Sequence, residues 1–178
     1  MFKRYLLTQT LKFEGMRILG IDPGLSGAIA ILEEKKVLSI FDMPVMADGK
    51  KNKRQLNSAQ LVNIIKENIA GADEIAVIVE QVNAMPGQGV TSMFNFGQTF
   101  GAIKGVCAAL NLSIFFVRPS KWKKHFELIN SSKDSSRTKV IEMYPSLSNQ
   151  LSKKKDVNKS DAILIARYYS ETRLRDQY

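Results

Sequence analysis

The sequence is poor in the residues from which cysteine and histidine sites are built. Among its 178 residues there is one cysteine, Cys107, and one histidine, His125. A single cysteine excludes an internal disulfide and a zinc site made of cysteines, and it is typical of a reducing compartment. His125 lies in the basic stretch SKWKKHFEL, where surface packing explains it better than catalysis. We therefore expect no Ser-His or Cys-His nucleophile.

Long apolar runs are also missing, and acidic residues are in the minority. No run reaches the roughly 18 to 20 residues that cross a bilayer. The two leucines near the start form too short a block for a secretory signal. Lys and Arg number 26 against 17 Asp and Glu, a net charge of +9. That excess favours a polyanionic partner, either nucleic acid or an anionic membrane surface.

The length and the 44% hydrophobic content predict one domain with a sizeable core. We place this domain at 16–178, after a flexible extension at 1–15. Apolar patterning predicts an antiparallel meander followed by helices that alternate with strands. The predicted strands are 17–22, 28–33, 37–41, 74–80 and 113–117, and the predicted helices begin near residues 58, 91 and 157. Ser58 is the expected cap of the first helix, and 46–57 is interpreted as a basic loop.

Glycine patterns exclude two common phosphate-binding motifs. The glycines of ILGIDPGLSG have the wrong spacing for G-x-G-x-x-G and precede a strand, and no GK[ST] is present. The second predicted helix carries Gly97, Gly101 and Gly105 along one face. Each interior glycine costs about 1 kcal/mol relative to alanine, which indicates close packing on that face. The sheet, a second copy of the chain, or both could supply that packing.

Three acidic residues occur where apolar neighbours are expected. Asp22 and Glu80 end two buried-type strands, and Asp161 lies early in the last helix. Parallel strand ends meet at one edge of a sheet, and three acids there would repel unless a divalent cation held them. The alternatives are a turn aspartate at Asp22, a salt-bridge partner at Glu80 and a helix-dipole contact at Asp161.

The segments ILGIDPGLSGAIAI, VIVEQV, SMFNFGQTFGAIKGV and KSDAILIARY together resemble the RuvC-type Holliday junction resolvases of the ribonuclease H-like superfamily. The resemblance runs from about Met16 to Tyr169. It implies an α/β fold with a five-stranded mixed sheet flanked by helices. It also implies a homodimer that cuts four-way DNA junctions, with the glycine-bearing helix at the twofold axis.

The same resemblance implies a two-metal Mg²⁺ site, with Mn²⁺ as a substitute, whose phosphodiester hydrolysis leaves a 5′ phosphate and a 3′ hydroxyl. Asp22 would bridge both ions, and Glu80 and Asp161 would each hold one. The family has a fourth ligand three residues before the last aspartate, and Asn158 stands at that position here. Asparagine offers a carbonyl oxygen without charge, and Asp156 in the preceding turn is the alternative.

Basic residues after the fifth strand are the candidates for contact with nucleic acid: Arg118, Lys121, Lys123, Lys124, Arg137 and Lys139. By position in the family, Lys123 and Arg137 correspond to residues that contact the scissile backbone. A solvated charged face is the alternative for each. Asn83 stands where family members often carry an aromatic residue that stacks at the opened junction. Phe94 or Phe96 could replace it, although both are interpreted as helix core.

We therefore expect a Mg²⁺-dependent junction endonuclease of bacterial or phage type, cytoplasmic and without a membrane partner, with an organelle as the alternative location. Two rival functions stay open. One is a related nuclease acting on RNA or on other branched DNA. The other is a module that binds junctions with weak or no cleavage, which the uncharged Asn158 favours. A kinase of the actin and sugar-kinase type would need two such lobes, and the chain is too short for both.

Overall fold

The computed structural model describes residues 15–49, 53–83 and 87–173. The predicted extension at 1–15 therefore lies, apart from Gly15, outside the described residues. The strands are β1 Met16–Asp22, β2 Ala28–Glu33, β3 Lys36–Asp42, β4 Val45–Ala47, β5 Arg54–Leu56, β6 Glu74–Glu80 and β7 Ile114–Val117. The α-helices are α1 Ser58–Ile69, α2 Val90–Ala109, α3 Pro119–His125, α4 Ser135–Met143 and α5 Val157–Thr172.

Five strands form one mixed sheet in the order β3-β2-β1-β6-β7. The meander β1-β2-β3 is antiparallel, and β6 and β7 run parallel to β1. The parallel pairs need crossover connections, which α1 and α2 supply. The predicted five-stranded mixed sheet flanked by helices is confirmed.

Alternation along β1 and β6 divides the core into two layers. Ile18 and Ile78 point towards α5 and join the same cluster as Trp122 and Ile163. Their strand neighbours, among them Leu19, point the opposite way into the layer that α1 and α2 cover. Because successive strand residues face opposite sides, every second residue of each strand lies on the α5 face.

The basic loop predicted at 46–57 is in part wrong. Val45–Ala47 pairs antiparallel with Arg54–Leu56 in a separate two-stranded sheet. Asn57 is the cap of α1, since its side-chain oxygen accepts a hydrogen bond from the Gln60 backbone N–H at 3.0 Å, and Ser58 is already helical. Strands of three residues are too short for an apolar alternation to be detected in the sequence.

The glycine-bearing face of α2 does not pack against the sheet. A Cβ built at Gly97, Gly101 or Gly105 meets no atom of the described residues within 4 Å, and all three glycines are exposed. The residues that α2 buries include Ile103, on another face. The predicted packing of this stripe against the protein's own sheet is therefore wrong.

No helix among the described residues is long and apolar enough to cross a membrane.

Candidate metal centre

Asp22 and Glu80 end neighbouring parallel strands on the same face of the sheet. The β1–β6 register pairs Ile21 with Val79, so Asp22 and Glu80 are the next residues on each strand. Neighbouring strands are about 4.8 Å apart, which brings the two backbones close at this edge. Two residues before each acid, Gly20 and Ile78 lie on the α5 face, and alternation places both carboxylates on that face.

Asp161 reaches the same edge because α5 crosses β1 at very short range. A Cβ built at Gly20 would lie 2.2 Å from the Ala162 carbonyl oxygen and 2.7 Å from the Ala166 nitrogen. Only glycine permits this approach, since the obstructing atoms belong to backbone. Asp161 precedes Ala162 and Asp22 follows Gly20 by two residues. The crossing therefore brings the first turns of α5 over the end of β1.

The turn after β1 is equally tight. A Cβ at Gly27 would lie 2.0 Å from the Asp22 carbonyl oxygen, and the Gly27 N–H donates to the Gly24 carbonyl at 2.9 Å. The chain thus returns directly beside Asp22 into β2, where Ala28 is the registered partner of Asp22. This hairpin fixes the backbone that carries the first carboxylate.

The three carboxylates raise one another's cost of ionisation. Burial raises the pKa of Asp22 to about 7, and the charges of Glu80 and Asp161 add to that rise. Burial also raises the pKa of Glu80, again with a contribution from Asp161. Desolvation and like charge both disfavour the ionised form, so the cluster is electrostatically unfavourable without a cation.

Asp161 carries an unpartnered buried oxygen. Its Oδ1 is buried and accepts no hydrogen bond from the described residues. Burial raises the pKa of Asp161, while the Ser136 hydroxyl, Lys123 and Lys133 act in the opposite direction. A buried carboxylate oxygen without a donor is costly, and a bound cation would remove that cost.

By donor chemistry these residues fit Mg²⁺ or Mn²⁺, because all three supply hard carboxylate oxygens. Within the described ranges, however, no three His, Cys, Asp or Glu side chains converge tightly enough to enclose a metal ion. The arrangement is a set of neighbouring, mutually repelling carboxylates rather than a closed cage.

Asn158 and Asp156, the two candidates for an additional ligand, are engaged differently. The Asn158 side-chain amide donates to the Ser26 carbonyl at 2.6 Å, which ties the start of α5 to the turn beside Asp22. Both oxygens of Asp156 are used in its own turn, by the Lys153 backbone N–H at 2.8 Å and by the Lys159 ammonium at 3.3 Å. Asn158 therefore contacts the β1–β2 turn that follows Asp22. Asp156 instead stabilises the turn before α5.

Sequence reasoning missed three residues that act on the acids. Trp122 donates its indole N–H to Glu80 Oε1 at 2.8 Å. Ser136 and Lys133 both act on Asp161. A tryptophan in a basic stretch gives no sign of such a contact, and Ser136 and Lys133 come from the segment after α3, whose position is set only by tertiary packing. The sequence offered no signal for any of them.

The predicted basic residues fall into two groups. Lys123 acts electrostatically on Asp22, Glu80 and Asp161, so it lies at the carboxylate cluster. Arg137 is half-buried and already engaged, with two hydrogen bonds to Asp134, three residues earlier, at 2.6 and 2.8 Å. The remaining candidates are exposed or half-buried on α3, at its start, or on α4: Arg118, Lys121, Lys124 and Lys139.

The two candidate aromatic residues also differ. Phe94 is 65% exposed on α2, so its interpretation as helix core is wrong. Phe96 is half-buried and stacks on Phe100 with 6.3 Å between ring centroids, which agrees with a packing role. Position 94 falls on the open side of α2, where the helix meets no layer of the protein.

No protein-family model and no curated protein sequence matches the chain. Solved structures do match. RuvC of Thermus thermophilus in complex with a Holliday junction substrate aligns with a TM-score of 0.55 and 16% identity, over 88% of this chain and 96% of that chain. A second Thermus thermophilus RuvC structure aligns with a TM-score of 0.51 and 16% identity, over 90% of this chain and 97% of that chain.

The chain has the RuvC fold. The predicted ribonuclease H-like architecture is thereby confirmed. Because the RuvC chains are covered almost completely, the likeness extends over the whole domain and is not confined to the β1–β2 hairpin.

Proposed function

We propose that this protein is a divalent-metal-dependent nuclease that resolves four-way DNA junctions. The observation that carries the proposal is the electrostatic interaction of Asp22, Glu80 and Asp161 at the carboxyl edge of a sheet with the RuvC fold. One of the matched RuvC structures contains a Holliday junction substrate, which supports junction DNA as the substrate here. The net charge of +9 suits a polyanionic partner.

Asp22, Glu80 and Asp161 are the residues that would hold Mg²⁺ or Mn²⁺, with the Asn158 side chain as an uncharged auxiliary. When bound, the two ions would activate the attacking water and stabilise the leaving oxygen, with a 5′ phosphate and a 3′ hydroxyl as products. Lys123 compensates the charge of the carboxylates and of the incoming phosphate. The buried Oδ1 of Asp161 is available as a ligand atom, since no described group donates a hydrogen bond to it.

A homodimer formed through α2 belongs to the same proposal. Two symmetric cuts in a four-way junction require two active sites, and a C₂ dimer supplies them. Gly97, Gly101 and Gly105 leave the α2 surface open to close approach by a second helix. Val90 and Phe94 on the same helix are 79% and 65% exposed, and an unpaired monomer gains nothing from that exposure. Phe94 is alternatively available to stack on an unpaired base.

Further DNA contacts are assigned to the exposed side chains around α3, namely Arg118, Lys121 and Lys124. They follow β7, whose end Val117 pairs with Glu80, so they begin at the carboxylate edge of the sheet. Arg137 is the weaker candidate because its donors are already bound to Asp134 and to the Leu151 carbonyl. A duplex arm lying on this edge would have its phosphates next to both Lys123 and α3.

The test is cleavage of a synthetic four-way junction. With Mg²⁺, the wild-type protein is expected to give paired nicks at symmetric positions in opposite strands, with 5′ phosphate ends. Asp22→Asn is expected to bind the junction with near wild-type affinity and to reduce cleavage at least 10²-fold, because a central ligand is lost while the exposed basic side chains are kept. A dimer predicts that the second nick follows the first before the junction dissociates.

Asp42→Asn is the matched control, since Asp42 also ends a strand but its side chain is 72% exposed. It should cut like the wild type. Specific binding without any cleavage in Mg²⁺ or Mn²⁺ would support the second candidate, a junction-binding module. That alternative is favoured by two observations, the uncharged Asn158 and the lack of a closed metal cage among the described residues. Preferential cleavage of RNA would contradict the substrate assigned here.

A further inference from the structure

Trp122 has an unusual position for a large side chain in a basic segment. It lies in the middle of α3, is completely buried, and joins the core layer between the sheet and α5. It is also the protein's only tryptophan. Its neighbours Lys121 and Lys123 are exposed and half-buried, so α3 has one inward side chain at this turn.

The polar atom of this buried ring points at Glu80. The indole N–H donates to Glu80 Oε1 at 2.8 Å, within the range of a good N–H···O bond. An indole nitrogen donates only and cannot exchange roles, and a bond to a carboxylate is about twice as strong as one between neutral groups. With Oε1 held by this bond, the orientation of the Glu80 carboxylate is fixed.

The ring face supports a second member of the site. The Lys123 Nζ lies 5.3 Å from the Trp122 ring centroid, in the range of a cation–π contact. The same ammonium acts on all three carboxylates. One immobile side chain thus contacts both a carboxylate of the cluster and the cation that compensates it.

We propose that Trp122 is a positioning residue of the metal centre: its indole N–H fixes the Glu80 carboxylate for cation binding, and its ring carries Lys123 beside the cluster. This inference rests on the proposed function. It names Trp122 as the residue that raises the affinity of the proposed site for a divalent cation. Outer hydrogen-bond donors that orient a ligand typically change metal affinity 10- to 100-fold when removed.

The sharpest test replaces the indole N–H and nothing else. Because Trp122 is the only tryptophan, a tryptophan auxotroph or an adapted synthetase can introduce β-(3-benzothienyl)alanine, in which sulfur replaces N–H in a ring of the same shape. Mn²⁺ binding to the full-length protein, measured by calorimetry, should weaken about 10-fold. Incorporation of 5-fluorotryptophan, which keeps the N–H, should restore wild-type affinity. Trp122→Phe provides the same loss with a natural residue.

A second readout uses the single indole signal in a ¹⁵N-labelled protein. The Trp122 N–H cross-peak should shift as Mg²⁺ is added, with the same midpoint as a calorimetric titration with Mg²⁺. Phe126→Leu is the matched control, because Phe126 is buried in the same core layer one turn later and its side chain has no donor for a hydrogen bond to Glu80. It should lower stability and leave the Mn²⁺ affinity unchanged.

The outcomes separate this inference from the function it depends on. If the wild-type protein binds neither Mn²⁺ nor Mg²⁺, the proposed metal-dependent nuclease falls, and the inference falls with it. If the wild type binds Mn²⁺ and the benzothienyl protein binds it equally well, only the positioning role of Trp122 is overturned. An equal loss of affinity in Phe126→Leu would likewise assign the effect to core packing and overturn the inference.

Discussion

At the scale of single residues, environment separates carboxylates of the same chemical type. Asp156 has both oxygens bonded, and although burial opposes the effect, the Lys153 N–H and Lys159 lower its pKa. The pKa of Asp22 is raised to about 7 by burial and by the charges of the neighbouring acids. A lowered pKa marks a carboxylate that stabilises the fold, and a raised pKa marks one that the fold holds at a cost.

Asp22 should therefore destabilise the metal-free protein at neutral pH. Its pKa is about 7 in the folded state against an ordinary value of 3.8, so the folded state binds more protons between pH 4 and 7. The contribution of Asp22 to the free energy of unfolding then falls as pH rises through that window. Asp22→Asn should stabilise the metal-free protein on the order of 2 kcal/mol at pH 8, and much less at pH 4.

Urea unfolding in EDTA at both pH values measures this difference. The exposed Asp42→Asn should change the free energy of unfolding by no more than about 0.5 kcal/mol at either pH. Equal stability of the wild type and Asp22→Asn at pH 8 would show that the buried carboxylate carries no such cost.

At the scale of elements, glycine has opposite roles on β1 and α2. Gly20 lets α5 approach β1 so closely that a Cβ would meet backbone at 2.2 Å. Gly101 lies on an exposed helix face where a Cβ meets nothing within 4 Å. The first glycine is required by the packing of two elements, and the second only costs helix stability in a single copy of the chain.

Substitution by alanine should consequently change the free energy of unfolding in opposite directions at these two positions. Gly20→Ala should lower the free energy of unfolding by about 3 kcal/mol, since backbone atoms of α5 must move away. Gly101→Ala should raise it by about 0.5 to 1 kcal/mol at protein concentrations where copies of the chain are separate. Denaturant titrations of both variants give the comparison. A destabilising Gly101→Ala under those conditions would mean that the α2 face is covered within one chain.

At the scale of the whole molecule, charge is distributed unevenly around the sheet. The acids gather at the carboxyl edge, and exposed lysines of α3 follow the end of β7 next to them. Lys66 near the end of α1 belongs to the layer on the other face of the sheet. A nucleic acid bound at the carboxylate edge would contact the first group of cations and not Lys66.

Junction affinity should fall steeply with salt because each neutralised phosphate releases condensed counterions. A double variant, Lys121→Gln with Lys124→Gln, should reduce the slope of log affinity against log salt by about 2. Lys66→Gln should leave the slope unchanged. Fluorescence anisotropy of a labelled junction in EDTA measures all three proteins. A salt slope that the double variant does not change would place the DNA elsewhere on the surface.

Much of the fold was predictable because it depends on short-range patterns. The runs RILGID and EIAVIVE are apolar on both faces of a covered strand, so β1 and β6 were found from periodicity. The same alternation put Asp22 and Glu80 at the ends of those strands. β4 and β5 were missed because three residues are too few to show a period. The partner of the glycine face of α2 stayed open because a stripe of small residues does not say which body lies against it.

The sequence by itself determined the five strands of the main sheet and the three longer helices, and which acids end β1 and β6, since these follow from local hydrophobic periodicity. The tertiary structure alone decided what surrounds those acids: Trp122 on Glu80, Asp161 with an unpartnered oxygen, and Asn158 on the Ser26 carbonyl beside Asp22. These contacts join residues that are distant in the chain or depend on the orientation of short helices. Packing fixes such orientations through many weak interactions at once, and no local pattern of residues encodes them.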